Sequence, residues 1–100
     1  MDLPGQALFQ KLCSGCHSVG NGDRVGPDLV SVGQRRQHEW LVGYLMSPER
    51  MRSKQDPIAV ALAAKYPAVR MPELGVSRTD ADDLLHYIQI RSSSTIGMSR

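Results

Sequence analysis

Apolar residues recur at helical spacing in four stretches of this chain, and polar segments rich in glycine and proline separate them. The spacing predicts helices over residues 3–13, 37–46, 57–66 and 79–91. No stretch alternates apolar and polar residues as a half-buried strand would, and no apolar run is long enough to span a membrane. The pattern therefore predicts an all-α fold.

The first and last predicted helices carry matching faces. Gly5 and Phe9 lie four residues apart on one helix, and Leu84 and Tyr87 lie three apart on the other. A glycine lets another helix approach closely, so we expect these two helices to cross at this point. Thr79 is predicted to cap the last helix, with acidic residues in its first turn.

The chain of 100 residues is predicted to form one domain, residues 1–91, followed by a flexible tail or linker over residues 92–100. The run Ser92-Ser93-Ser94-Thr95 has weak helix propensity, which is why the boundary is placed there. The chain has few aromatic residues: one Trp, three Tyr and one Phe. A flat apolar prosthetic group would supply the missing core volume.

The only two cysteines of the chain are Cys13 and Cys16, and His17 follows directly. Cys-x-x-Cys-His is the spacing at which a haem is attached covalently to a polypeptide. On a helix, residues three apart project from one face, so both thiols can add to the vinyl groups on one edge of a porphyrin. The motif predicts one haem c bound through both cysteines, with His17 as an iron ligand.

A Cys-x-x-Cys pair has other uses, which the five residues alone leave open. It can be half of a zinc site, a redox dithiol or a structural disulfide. A zinc site would need further ligands from His38, His86 or scattered carboxylates, and no βαβ pattern of a thioredoxin-like protein is visible.

The glycine-rich segment 19–33 is predicted to be a loop that supports His17. Pro27 fixes its own φ angle, so this segment can present a carbonyl group rigidly. A histidine ligand needs an acceptor for its second ring nitrogen. We therefore expect the Pro27 carbonyl to accept a hydrogen bond from Nδ1 of His17, although an ordinary turn proline would look the same.

Two further groups are candidates for the haem propionates. Arg36 lies just before the second predicted helix, where its guanidinium can form charge-assisted hydrogen bonds. The indole N–H of Trp40 is a second candidate donor, although a Trp at this spacing also suits a core. His38 and His86 are expected to be exposed and not to be ligands.

Met71 is the candidate for the second axial ligand among the five methionines. It alone lies in a loop stiffened by the next residue, Pro72, just before the final helix. Met1 and Met98 fall in the predicted ends of the chain, and Met46 and Met51 flank a helix terminus.

The ordered set of motifs resembles the class I cytochromes c, over roughly residues 5–91. This family comprises small monohaem carriers and the cytochrome c domains of periplasmic redox proteins. The matching landmarks are Gly5 with Phe9, Cys13-Ser14-Gly15-Cys16-His17, Gly26-Pro27-Asp28-Leu29, Trp40, Met71-Pro72, and Leu84 with Tyr87.

The resemblance implies four or so short helices around one haem, with the terminal helices crossing. It also implies His17 and Met71 as axial ligands, thioethers at Cys13 and Cys16, and one-electron transfer between a donor and an acceptor redox protein, not an enzyme activity. Only three of the twelve basic residues are lysines, so the lysine-rich docking face of the mitochondrial members is not matched.

Three alternatives stay open. The chain could be the electron-entry domain of a larger redox enzyme, a haem sensor or peroxidase-like centre with a labile Met71 bond, or a module without haem. We expect a monomer or one domain of a longer chain. The net charge of +2 and the pI of about 8.7 are too mild to indicate nucleic acid as a partner. Bacterial haem attachment takes place outside the cytoplasm, so we expect a periplasmic or otherwise extracytoplasmic protein whose leader is absent from this sequence.

Overall fold

The computed structural model describes residues 3–98, with side chains described for residues 3–94. Within that range the fold is all-α, as predicted, and has no strand. No helix in this range combines the length and the apolar character that a membrane crossing requires. The helices are α1 (Gln6–Leu12), α2 (Val32–Arg35), α3 (His38–Met46), α4 (Pro48–Ser53), α5 (Pro57–Lys65) and α6 (Arg78–Met98).

The terminal helices α1 and α6 cross at Gly5, as the sequence predicted. Gly5 has φ of +88°, and a Cβ atom there would overlap the main chain of Asp83 and lie 3.0 Å from the nitrogen of Leu84. Only glycine combines this φ with so close an approach. One turn further on, the rings of Phe9 and Tyr87 meet with centroids 5.3 Å apart at an angle of 47°.

This crossing is the centre of a continuous apolar core. Its buried members come from both terminal helices, from the turn after α1 and from the segment before α6. They are Phe9, Cys13, Val19, Val76, Leu84, Tyr87 and Ile88. Since Cys13 belongs to this core, the start of the Cys-x-x-Cys-His motif is fixed by the packing of the two helices.

The start of α6 differs from the prediction. The backbone N–H of Ala81 donates to the Ser77 carbonyl, and the N–H of Asp80 donates to Oγ of Ser77 at 3.1 Å. The N–H of Ser77 donates in return to Oδ2 of Asp80, also at 3.1 Å. This reciprocal capping box makes Ser77 the N-cap, so the assignment of that role to Thr79 was wrong.

The far end of α6 also differs from the prediction, because the helix continues beyond Arg91 through Met98. Ser92 is buried; its Oγ donates to the carbonyl of Ile88 at 2.6 Å and accepts the N–H of Ser31 at 2.9 Å. Ser31 lies just before α2 in the left-handed region, with φ of 55°. Residues 92–98 are helical, and Ser92 is packed into the fold.

Two short helices, α2 and α4, were not predicted. Ser47 both follows α3 and caps α4, accepting the N–H of Arg50, and Pro48 occupies the first turn. Proline is well suited to that position, so the pair Ser47-Pro48 ends one helix and starts the next. The Asp56-Pro57 pair starts α5 in the same manner.

Candidate haem site

The Cys-x-x-Cys-His motif lies in a turn that continues the winding of α1. The N–H of Cys13 donates to the Phe9 carbonyl, and the N–H groups of Cys16 and His17 both donate to the Cys13 carbonyl, at 3.1 and 2.9 Å. The cysteines were expected on a helix, but they lie just after α1, in a turn that keeps the helical spacing between them. Cys13 is buried, and Cys16 is partly exposed.

Both cysteines are free thiols in the structure. Burial, with a smaller contribution from Cys16, raises the pKa of the Cys13 thiol to about 11. No group of three or more His, Cys, Asp or Glu residues suited to a metal ion occurs in residues 3–98. The lack of such a donor set disfavours the zinc interpretation.

The imidazole of His17 is held from behind by the loop that follows it. Its Nδ1 lies 2.8 Å from the carbonyl oxygen of Pro27, the hydrogen bond predicted from the sequence. A carbonyl can only accept, so Nδ1 carries the proton and Nε2 keeps its lone pair free. A Cβ atom on Gly26 would overlap Cε1 of the imidazole and lie 2.9 Å from its Nδ1.

The carboxylate of Asp28 keeps this loop in shape. It accepts backbone N–H bonds from Gly20, Gly22 and Val30, at 2.8 to 2.9 Å. Partial burial opposes ionisation, but these N–H groups outweigh it and lower the pKa of Asp28. The sequence analysis quoted Asp28 only as part of a motif and did not recognise this structural role.

A cavity of about 800 Å³ lies in front of His17. Cys13, Cys16 and His17 line it, as do the predicted apolar stripe of α3 and one face of α5. The stripe residues are Trp40, Leu41, Tyr44 and Leu45, and those of α5 are Pro57, Ile58, Ala61, Leu62, Ala63 and Lys65. Cofactor pockets have this size and this mainly apolar character.

Met71 lines the same cavity as His17. Three methionine side chains fall in the described range, and neither Met46 nor Met51 reaches the cavity. Met46 is 39% exposed on the far end of α3. The side chains of Met1 and Met98 lie outside the described residues. The loop before α6, in which the predicted ligand Met71 lies, is therefore the one that brings a thioether to the cavity.

The two predicted propionate partners, Arg36 and Trp40, both line the cavity. The indole N–H of Trp40 donates to Oδ1 of Asp56 at 3.1 Å. The same carboxylate caps α5 through the N–H groups of Ile58 and Ala59. Arg36 also lines the cavity, with Nη1 on the carbonyl of Arg35 at 3.0 Å.

One contact joins the two sides of the cavity and was missed in the sequence. The hydroxyl of Tyr66, just after α5, donates to Oδ2 of Asp23 in the loop after His17 at 2.8 Å. The two residues are 43 positions apart, and no local pattern connects them. His38 and His86 are exposed, as predicted, and His38 Nε2 pairs with Asp82 at 3.0 Å.

These residues fit a covalently attached haem. Two unpaired thiols and an imidazole with a free Nε2 share one wall of the apolar cavity, and a thioether lies on its lining. Gly26 lies against the ring of His17, and Nδ1 of that ring lies on a carbonyl, as a histidine ligand requires.

Comparisons with known proteins agree with the geometry. The cytochrome c family model matches residues 3–91. No curated protein sequence matches the chain. Among solved structures, cytochrome c from Rhodothermus marinus superposes with a TM-score of 0.82 at 24% identity, over 91% of this chain and 76% of that one.

A second solved structure is more similar in sequence. The cytochrome c domain of the pp3183 protein from Pseudomonas putida has 31% identity and a TM-score of 0.77, over 89% of this chain and 88% of that one. The family match spans nearly all of the chain, and the fold agrees with it. The chain belongs to the cytochrome c family, which carries one covalently bound haem c and transfers electrons.

Proposed function

We propose that this protein carries single electrons between a donor and an acceptor redox protein, with His17 and Met71 as the axial ligands of its haem. Cys13 and Cys16 would hold the haem through thioether bonds. The observation that carries the proposal is that His17 and Met71, and no other described methionine, line one cavity. When bound, the haem supplies a one-electron Fe(III)/Fe(II) couple.

His17 supports this role because the proton of its neutral ring is held on Nδ1. The Pro27 carbonyl holds the proton on Nδ1 and directs Nε2 away from the loop. Such an acceptor also raises the basicity of the ligating nitrogen. Because Gly26 confines the ring, His17 can keep one orientation in both oxidation states, so little has to rearrange when an electron moves.

Met71 supports the role through the softness of its thioether. A methionine ligand favours Fe(II) and raises the reduction potential relative to a second histidine. With His17 and Met71 both engaged, no coordination position is left for a substrate. This is why we propose a carrier and not an enzyme. Arg36, at the edge of the cavity, is the side chain proposed to pair with a propionate.

The chain could also act as the electron-entry domain of a larger protein. The relative from Pseudomonas putida is itself a cytochrome c domain, and it matches this chain over most of both lengths. In either setting the partners are redox proteins, and we place the protein outside the cytoplasm, in the periplasm or an equivalent compartment.

Voltammetry of the haem-loaded protein tests the proposal. We expect one reversible one-electron wave that added hydrogen peroxide does not convert into a catalytic current. Acid–organic extraction should leave the haem colour with the polypeptide. A catalytic current at the first addition of peroxide would indicate an open iron site and contradict the carrier role, and extractable haem would contradict thioether attachment.

A further inference from the structure

The main chain of Met71 is held by one largely buried arginine, Arg52, which also lines the cavity. Nη2 of Arg52, on α4, donates to the carbonyl oxygen of Met71 at 3.1 Å and to Oε2 of Glu49 at 3.0 Å. The Arg52 side chain is only 10% exposed, whereas that of Glu49 is 57% exposed. The buried guanidinium thus directs one of its hydrogen bonds at the residue proposed to bind the iron.

A second contact attaches the same loop to the same helix. Oε1 of Glu73 accepts the hydroxyl of Ser47 at 3.1 Å and the N–H of Glu49 at 3.0 Å. Glu73 and Met71 flank Pro72, whose φ angle is fixed. The two attachments therefore hold a stiff three-residue segment at both of its ends.

The guanidinium of Arg52 is suited to holding this loop. It binds a carbonyl oxygen and a carboxylate at once, and its bonds are charge-assisted. An apolar side chain of similar volume could make neither bond.

We propose that Arg52 and Glu73 form a latch between α4 and the Met71 loop, and that this latch sets how often Met71 leaves the iron. The inference rests on the proposed role of Met71 as a ligand. Arg52 is proposed as a positioning residue, because it acts through the main chain of Met71. With the latch in place, the Met71 thioether stays in the cavity, and external ligands rarely reach the iron.

The latch should lower the affinity of the ferric protein for an added ligand. An external ligand binds only the fraction of molecules in which Met71 has moved away, so its apparent affinity is proportional to that fraction. Loss of a charge-assisted hydrogen bond should raise this fraction by roughly tenfold or more. The latch thus acts on access to the iron without changing the iron ligands.

Imidazole titration of the haem-loaded ferric protein, followed in the absorption spectrum, measures this fraction. We expect Arg52→Met to bind imidazole roughly tenfold more tightly than the wild-type protein, and Arg52→Lys to lie between the two. Arg50→Met is the matched control, because Arg50 is an exposed arginine on the same helix. The Arg50→Met variant should bind imidazole as tightly as the wild-type protein does. Equal affinities for Arg52→Met and Arg50→Met would overturn the latch.

Two further variants complete the design. Glu73→Ala removes the exposed half of the latch and leaves Arg52 in place, so it should also raise the affinity, even if Arg52→Met fails to fold. Met71→Ala gives the upper limit for an open site. An imidazole affinity of Met71→Ala equal to that of the wild type would refute the proposed ligand itself. A raised affinity in Met71→Ala, without any increase in the Arg52 and Glu73 variants, would refute the latch alone.

Discussion

Gly26 lies against the imidazole of His17 so closely that a single added methyl group would collide with the ring. The added Cβ would overlap Cε1 and lie 2.9 Å from Nδ1. Since Gly26 has no positive φ, its requirement for glycine is one of space alone. We expect Gly26→Ala to displace the ring from the Pro27 carbonyl and to lower the free energy of unfolding by about 1–3 kcal/mol, measured with denaturant.

Gly43 provides the control for this substitution. It lies within α3, and a Cβ atom there would meet nothing within 4 Å. Gly43→Ala should leave stability unchanged or raise it by up to about 1 kcal/mol, because alanine favours a helix. Equal effects of the two substitutions would show that the close contact between Gly26 and His17 does not affect the free energy of unfolding.

Ser92 should behave as part of the folded domain. Ser92→Ala removes the acceptor for the N–H of Ser31 and leaves that group without its partner. We expect a loss of about 1–3 kcal/mol in the free energy of unfolding. Ser93→Ala, at the next and exposed position, should change stability little. A chain that ends after Arg91 should lose at least as much free energy of unfolding as Ser92→Ala does. If that shorter chain were fully stable, the domain boundary predicted at residue 92 would be supported.

The Tyr66–Asp23 hydrogen bond should make stability depend on pH at both ends of the scale. The N–H of Asp28 and then the Tyr66 hydroxyl lower the pKa of Asp23 from 3.8, and the bond to Asp23 raises the pKa of Tyr66 from 10.0. A lowered carboxyl pKa stabilises the fold above pH 3.8, and this contribution is lost as the pH falls through the folded-state pKa. A raised phenol pKa stabilises it below pH 10.0, and this contribution is lost as the pH rises through the folded-state pKa.

Thermal unfolding of Tyr66→Phe across this range tests the contact. The variant should have a lower Tm than the wild type between about pH 5 and pH 9, and the difference should shrink towards either end. Tyr44→Phe, whose ring stacks on Trp40, should show no such dependence on pH. A difference for Tyr66→Phe that is constant with pH would show that the hydroxyl acts without Asp23.

Local patterns in the sequence account for four of the six described helices and for the wall of the site that holds His17. The apolar spacing located four helices, and the rigidity of Pro27 was sufficient to predict its bond to His17 because the two residues lie in one short loop. Short helices such as α4 gain their stability from tertiary contacts, which the local pattern does not contain.

The remaining features depend on pairs that are distant in the sequence. Ser92 is polar and has weak helix propensity, yet it is buried because it reaches Ser31, 61 positions away. The indole N–H of Trp40, a candidate donor to a propionate, bonds to Asp56, 16 positions away. Periodicity does not reveal this pair.

The absorption spectrum of the ferric haem-loaded protein, with Met71→Ala beside it, tests the central claim most directly. A sulfur ligand on ferric haem gives a weak long-wavelength band, which we expect in the wild-type protein and not in Met71→Ala. The variant should keep its haem through Cys13 and Cys16 and should have a lower reduction potential. Identical spectra of the two proteins would contradict the assignment of Met71, and with it the closed coordination sphere on which the carrier role depends.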